Sequence, residues 1–173
     1  MSIHRKLLTT AILLAGMAVS SCQKDDNFPA LQNPIPLKPQ LLNGTWSVSK
    51  VTQFDKEAVD NGFPTDVQKK DITGLFAFAD YKVKFDLEPS GKPSTFTVTP
   101  GNAPNFLTLN QGIWELDDYV FATRITLTNP SNVNASAFRI KRLESNKISL
   151  QVVRNDANDN TEYSYYEYEF TKN

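Results

Sequence analysis

Short segments in which apolar residues alternate with polar residues dominate the chain from residue 41 to residue 173. In residues 81–87 every second residue is apolar, and the same period recurs in residues 148–152 and 166–170. Successive side chains of a β-strand point to opposite faces of a sheet, so this period predicts strands with one buried face. The pattern therefore favours an antiparallel, all-β domain.

Clusters of Gly, Pro, Asn and Asp separate these segments, for example at residues 89–91, 100–102 and 129–132. Strands joined by such short connections pair as neighbours in an up-and-down meander. We predict eight or nine strands. They cover residues 44–53, 55–60, 81–87, 94–99, 111–117, 119–128, 135–144, 147–154 and 161–171.

An open meander of this size leaves two strand edges unpaired, and closure into a barrel removes both edges. A two-sheet sandwich is the alternative. Gly44-Thr45-Trp46 at the first strand resembles the Gly-x-Trp signature of lipocalins and related calycins. A second copy at residues 112–114 resembles the repeat found in lipocalin-like domains of Bacteroidetes surface lipoproteins of unknown function. The resemblance implies a single lipocalin-like, antiparallel up-and-down β-barrel.

The same resemblance implies structural roles for two residues of the first motif. Gly44 and Trp46 would close the narrow end of the barrel, with a basic side chain from a late strand covering the tryptophan. The sequence offers three arginines for this position and does not choose among them. They are Arg139, Arg142 and Arg154.

Residues 65–79 depart from the strand pattern. Thr65-Asp66-Val67-Gln68 has the spacing of a helix capping box, which predicts a short helical insert. An irregular connection is the alternative, because the helical periodicity is weak. In either case, apolar residues of the insert would cover one end of the barrel. They are Leu75, Phe76 and Phe78.

The N-terminus has the features of an export signal. Positively charged residues precede 13 uncharged, mainly apolar residues at positions 7–19, too few for a membrane-spanning helix of about 20 residues. Residues 19–22, Val-Ser-Ser-Cys, resemble the lipobox of bacterial lipoproteins. The resemblance implies cleavage after residue 21 and attachment of diacylglycerol and fatty acyl chains such as palmitate to Cys22. The alternative is an ordinary secretory peptide cut nearby.

These features predict three regions. Residues 1–21 form a lipoprotein signal peptide, residues 22–40 the lipidated N-terminus and a Pro-rich tether, and residues 41–173 the barrel domain. Gln23-Lys24-Asp25-Asp26, directly after the cysteine, resembles a surface-export signal of Bacteroidetes lipoproteins, although a solvated linker has similar composition. We therefore expect a lipid-anchored protein of the outer membrane, exposed at the cell surface.

Composition limits the chemistry that such a chain could perform. Removal of residues 1–21 leaves 152 residues with a net charge of −3, and it removes the single histidine, His4. Lipid would occupy the single cysteine. The mature chain therefore cannot form a Ser-His-Asp triad, a cysteine nucleophile or a metal site with His or thiolate ligands. It also lacks the cluster of basic residues that binding of nucleic acid requires. We expect no enzymatic activity and no cofactor.

The predicted function is non-catalytic binding of a small apolar or amphipathic ligand in the barrel mouth. One alternative is an interaction module of a surface nutrient-uptake or adhesion assembly, engaging a protein partner through loops and the Tyr-rich last strand. Another is a hydrolase of glycosides that uses only carboxylates, such as Glu115 and Asp117. Five aromatic residues are candidates to line the ligand site. They are Phe85, Phe96, Trp114, Phe121 and Phe138.

Residues 156–167 offer a weak calcium candidate. Asp156, Asn158, Asn160 and Glu167 supply oxygen ligands at positions 1, 3, 5 and 12 of a calcium-loop pattern. Position 6 of that pattern is normally glycine and is Thr161 here. An Asn- and Asp-rich hairpin turn explains the same residues, so we expect no metal.

Overall fold

A computed structural model of the protein describes residues 37–129 and 132–173. The signal peptide, Cys22 and most of the tether predicted from the sequence lie outside these residues. In the described part of the chain, nine strands form one antiparallel sheet. They are β1 (Gly44–Asp55), β2 (Lys69–Asp71), β3 (Lys82–Leu87), β4 (Pro93–Thr99), β5 (Gln111–Leu116), β6 (Arg124–Asn129), β7 (Asn132–Leu143), β8 (Lys147–Asn155) and β9 (Glu162–Lys172).

The sheet closes on itself because β1 pairs with both β3 and β9. From β3 onwards each strand pairs with the next one in sequence, so β1 and β3 to β9 form an eight-stranded barrel. The short strand β2 adds a ninth, pairing with residues 52–54 of β1 beyond the point where β3 ends. The predicted all-β, up-and-down antiparallel barrel is confirmed, and the sandwich is excluded.

Short helices lie before and after β1. They are α1 (Lys38–Leu42), α2 (Lys56–Asp60), α3 (Thr65–Gln68) and two 3-10 turns, Thr73–Leu75 and Phe78–Asp80. The strand predicted at residues 55–60 is wrong: Asp55 accepts a hydrogen bond from the Ala58 backbone N–H at 2.9 Å, which caps a helix there. The helical insert predicted at residues 65–79 is confirmed. No helix among the described residues has both the length and the hydrophobicity to cross a membrane.

The barrel has two distinct ends. The basal end carries α1 and the β3–β4, β5–β6 and β7–β8 connections, and the described chain enters there: the Lys38 N–H donates to the Tyr119 carbonyl at 2.8 Å. The upper end carries α2, α3, the insert, residues 100–110 and the β8–β9 hairpin. Residues 117–123 form a basal loop, so β6 begins five residues later than the strand predicted at 119–128.

Side chains fill the barrel interior. Phe106 stacks on Tyr168 with ring centroids 3.5 Å apart and on Tyr81 at 4.4 Å. Phe78 packs edge-on against Tyr168 and covers the upper end, whereas Leu75 and Phe76 of the insert are exposed. Eight-stranded barrels are narrow enough for such filling. The largest fully buried side chains are Trp46, Trp114, Tyr81, Phe85, Phe96, Phe170, Leu42, Leu107, Ile125, Leu127, Ile148 and Leu150.

Candidate functional site

Trp46 lies fully buried at the basal end, beneath α1. Its indole N–H donates to the Leu42 carbonyl of α1 at 2.7 Å, which satisfies the polar atom of a fully buried ring. The Lys172 ammonium lies 5.3 Å from the centre of that ring and donates to the Leu41 carbonyl at 3.3 Å. A cation in this position is attracted by the face of the indole ring. The sequence prediction of a tryptophan beneath a basic group therefore describes this end, but with a lysine.

The expectation that an arginine covers Trp46 is wrong. In the β1–β9 register Lys172 lies directly opposite Trp46, so its side chain reaches the ring. The register between the first and last strands follows from barrel closure, which single-strand patterns do not reveal. The three arginines have other neighbours: Arg139 lies near Glu162, Arg142 near Glu144, and Arg154 over the Tyr166 ring.

The second Gly-x-Trp motif also belongs to the core. The Trp114 indole N–H donates to the Asp86 carbonyl at 2.9 Å, and its ring meets Phe85 edge-on at 5.3 Å. A Cβ atom on Gly112 would lie 2.1 Å from the Thr128 carbonyl oxygen of β6, so only glycine allows this approach. This tryptophan therefore acts in packing.

Four of the five aromatic residues predicted to line a ligand site lie together in the interior. Phe85, Phe96, Trp114 and Phe138 have at most 4% of their surface exposed, and they contribute to one continuous core. Phe121 is 79% exposed and lies in the basal loop between β5 and β6. The structure therefore separates Phe121 from the other four.

A cavity of about 580 Å³, here called the external groove, lies on the outer face of the barrel. Its size is within the range of small-molecule sites, which begins at about 300 Å³. Strands β9, β1 and β2 and helix α3 contribute its lining. The lining residues are Lys50, Thr52, Phe54, Thr65, Asp66, Lys69, Asp71, Glu167 and Glu169.

A β-bulge in β1 builds one wall of the external groove. The register shifts between Val48 and Lys50, so Lys50, Thr52 and Phe54 face outward on the strand that buries Val51. Glu169 and Glu167 of β9 lie opposite Lys50 and Thr52, respectively. The groove thus has alternating charges on its wall.

An aromatic pair forms the end of that wall. Phe54 stacks on Tyr165 of β9, with ring centroids 4.6 Å apart and an angle of 11° between the planes. Both rings stand on the outer face of the sheet, where Tyr163 is also exposed, whereas Tyr168 points inward. Tyrosines of the last strand thus occupy both faces of the sheet, and Tyr165 stacks on Phe54, which lines the groove.

The opposite wall of the external groove is charged and fixed by hydrogen bonds. Asp71 of β2 accepts from the Thr73 hydroxyl at 2.6 Å and from the Thr73 backbone N–H at 2.9 Å. Both hydrogen bonds, and most of all the one from the hydroxyl, lower the pKa of the Asp71 carboxyl below its ordinary value and keep it ionised. Lys69 and Asp66 complete this wall. The groove can therefore exchange hydrogen bonds with a polar ligand through groups of both charges.

The external groove was not identified from the sequence. Its residues come from four elements, and two of those elements lie in the insert predicted only as helical or irregular. The signal present in the sequence was the pair of polar residues Lys50 and Thr52 on either side of Val51 in β1. That pair indicates an outward face but does not indicate that a helix and an extra strand enclose it.

The carboxylate pair Glu115 and Asp117 does not form a cleft. Asp117 follows β5 and accepts hydrogen bonds from the Thr123 hydroxyl and from the backbone N–H groups of Thr123, Arg124 and Asp118. These hydrogen bonds, and most of all the one from the Thr123 hydroxyl, lower the pKa of Asp117 to about 2. The Asp117 carboxylate therefore orders the basal loop.

The weak calcium candidate is not assembled. Asp156 accepts from the Asn158 N–H at 2.7 Å, and Asn160 accepts from the Asn155 side chain at 3.0 Å, so both serve the β8–β9 turn. Glu167 lies within β9, opposite Thr52. Among the residues that the structure describes, no group of three or more His, Cys, Asp and Glu side chains could hold a metal ion.

Comparison with known proteins identifies the family of the chain. A search of curated proteins found no match to the chain. A family model with the description "Domain of unknown function (DUF5004)" matches residues 24–169, which include all eight barrel strands except the last residues of β9. This match covers well over half of the chain. We conclude that the chain, with its closed eight-stranded antiparallel barrel, belongs to the DUF5004 family.

Proposed function

We propose that the protein is a non-catalytic binding module, held at the outer-membrane surface by lipid on Cys22, that takes a polar ligand in the external groove. The anchor is supported by the lipobox-like residues 19–22 after an apolar run of 13 residues. The site is supported by one observation above all. A cavity of about 580 Å³ lies outside the barrel, while large side chains fill the interior.

The packing of the core favours the external groove over the barrel mouth. Phe78 and Phe106 lie beneath the upper end, and the stacked rings of Phe106 and Tyr168 occupy the space that a buried ligand would need. At the basal end Trp46 lies under α1. A ligand entering the interior would have to displace several aromatic side chains, whereas the groove is accessible in the described structure.

The lining of the external groove favours a polyhydroxylated ligand such as a saccharide. Carboxylates and lysines accept and donate hydrogen bonds to hydroxyl groups, and the Phe54–Tyr165 pair supplies an apolar surface for a sugar ring. A purely apolar ligand would displace water from the six charged lining residues without replacing the lost hydrogen bonds, which is unfavourable.

The kinship to lipocalins is part of this proposal. Closure by a β1–β9 pairing, together with Trp46 beneath the Lys172 ammonium, supports the resemblance drawn from Gly44-Thr45-Trp46. A Bacteroidetes-type surface lipoprotein, as residues 19–26 suggest, would display such a barrel to external saccharides. In this proposal the barrel acts as a rigid support and the binding surface lies on its outer wall.

Calorimetric titration with a library of soluble oligosaccharides tests the proposal. We expect at least one saccharide to bind, and Glu167→Gln to weaken its binding about tenfold, because a charge-assisted hydrogen bond contributes about 1.5 to 3 kcal/mol. Glu88→Gln is the matched control, since Glu88 is an exposed carboxylate at the basal end. No binding by any saccharide, or equal losses in both variants, would remove the groove as the site.

Two further measurements separate this proposal from its alternatives. We expect no saturable binding of a fluorescent fatty acid. Saturable binding that Glu167→Gln does not weaken would indicate that the ligand site lies in the barrel interior. We also expect no turnover of chromogenic glycosides. Turnover abolished by Glu167→Gln or by Asp71→Asn would identify a hydrolase that uses the groove carboxylates.

A further inference from the structure

The tip of the β5–β6 loop exposes three consecutive large apolar or aromatic side chains. Tyr119 is 37% exposed, Val120 44% and Phe121 79%. We call residues 119–121 the basal tip. Phe121 is the most exposed of the large hydrophobic residues that the structure describes. Such a group in water is unfavourable unless a partner covers it.

Hydrogen bonds to two carboxylates fix the shape of the basal tip. Asp118 accepts from the Val120 N–H at 2.6 Å and from the Phe121 N–H at 2.7 Å. Asp117 accepts from Thr123 and Arg124 on the far side of the loop. Because the backbone is held on both sides, the exposure of Phe121 is a property of an ordered loop. An ordered apolar projection is typical of a contact surface.

The basal tip lies where the described chain begins. The Lys38 N–H donates to the Tyr119 carbonyl at 2.8 Å, and the preceding residue, Leu37, is itself 43% exposed. Fourteen residues lie between Cys22 and Leu37, and even fully extended this segment reaches only about 50 Å. A lipid on Cys22 would therefore keep the tip close to a bilayer, at a high effective concentration that makes a weak contact sufficient.

The surroundings of the basal tip suit a lipid headgroup region. Arg124 and Lys141 line a shallow surface cavity of about 280 Å³ next to Thr123, immediately after the tip. Cations there would face anionic headgroups, while Tyr and Phe side chains prefer the interface between headgroups and acyl chains. A protein partner would not explain why these features surround the point at which the tethered chain enters.

We infer that the basal tip docks on the lipid surface that carries the anchor, so that the barrel stands on its basal end with the upper end directed outward. This inference rests on the proposed lipid anchoring at Cys22. Val120 and Phe121 enter the interface, and Arg124 and Lys141 contact headgroup phosphates.

Fluorescence quenching in vesicles tests the docking. The full lipidated protein is reconstituted into equimolar phosphatidylcholine and phosphatidylglycerol vesicles that contain a doxyl-labelled lipid. Cys22 is the only cysteine of the chain and its thiol is occupied by lipid, so Val120→Cys can be labelled selectively with bimane. Tyr163→Cys is the matched control, because Tyr163 is also exposed, at 57% against 44% for Val120, but lies at the upper end.

We expect quenching at position 120 to exceed that at position 163 about twofold or more, and Phe121→Ser to reduce it toward the control value. Equal quenching at both positions in protein that remains on the vesicles would contradict the docking of the tip on lipid. It would favour a protein partner as the group that covers the tip. Protein that washes off the vesicles and carries a free Cys22 thiol would instead contradict the anchor, so the two failures are distinguishable.

Discussion

At the scale of single residues, both Gly-x-Trp motifs place a tryptophan in the core, but glycine is required for a different physical reason in each motif. At Gly44 the backbone has φ of +120°, and a Cβ atom would lie 2.9 Å from the Lys172 side chain. At Gly112 the obstacle is the backbone of the neighbouring strand, because the Thr128 carbonyl would lie only 2.1 Å from a Cβ atom. A flexible lysine can move aside, whereas a paired strand cannot.

Substitution of Gly112 by alanine should therefore destabilise the barrel. The added methyl group forces β5 and β6 apart, and we expect a loss of about 2 kcal/mol or more in the free energy of unfolding. Urea denaturation followed by tryptophan fluorescence measures the change. Gly74→Ala is the control: no atom lies within 4 Å of its Cβ position, so we expect a change within about 0.5 kcal/mol. Equal effects of the two substitutions would contradict the steric cause.

At the scale of elements, the basal loop shows how side-chain hydrogen bonds overrule a strand pattern. Phe121, Thr123 and Ile125 continue the alternation of β6, which is why the sequence predicts a strand at residues 119–128. Asp117 and Asp118 bind the backbone N–H groups of the loop instead and hold it in a turn. Strand pairing therefore begins only at Arg124.

The Thr123 hydroxyl is the main reason for the low pKa of Asp117, so Thr123→Val should raise that pKa. We expect it to move from about 2 toward the ordinary value of 3.8, as measured by carbonyl-detected NMR titration of the full chain. Thr95→Val is the control, because Thr95 bonds to Asp86 on another strand pair. An unchanged Asp117 pKa in Thr123→Val would show that backbone donors alone hold this carboxylate.

The same carboxylate makes the basal loop sensitive to acid. Because the pKa of Asp117 is lower in the folded protein, its contribution to stability is complete above the ordinary pKa of 3.8 and is lost as the pH falls toward about 2. We expect the amide resonances of Val120 and Phe121 to shift within this window, before the barrel unfolds. Loop resonances that change only together with global unfolding would contradict this order.

At the scale of the whole molecule, barrel closure places the proposed anchor and the proposed binding site on different parts of the protein. The described chain enters at the basal end, beside Tyr119, whereas the external groove lies between β9, β1, β2 and α3. This arrangement leaves the groove on the outer wall of a barrel held at one end. It also explains why β9, which completes the barrel, contributes both Lys172 over Trp46 and the groove carboxylates.

Replacement of Cys22 by alanine should release the protein from membranes. Acyl chains on this residue would supply about 0.8 kcal/mol per buried methylene, far more than the basal tip can contribute. Fractionation of cells and immunoblotting measure the distribution, with Asn27→Ala in the same tether as the control. Continued membrane association of Cys22→Ala would contradict the lipid anchor. Protease treatment of intact cells tests surface display separately.

The sequence alone was sufficient to predict the fold class. The period of two and the turn residues between segments predicted an antiparallel meander, the resemblance at Gly44-Thr45-Trp46 favoured a closed barrel over a sandwich, and the structure confirms the barrel. These signals are local, since each strand and turn is encoded within about ten residues. A local signal fails where a side chain outside the pattern intervenes, as Asp55 does when it caps α2.

The tertiary structure decided which residues meet across the barrel. Lys172 reaches Trp46, and Phe54 reaches Tyr165, only because the first and last strands pair in one particular register. The external groove likewise needs a bulge, a helix and a short strand to come together on one face. Contacts between residues more than a hundred positions apart depend on the register of a closed sheet. The alternation within a single strand indicates which face each side chain occupies, but it does not determine which residue of the partner strand lies opposite.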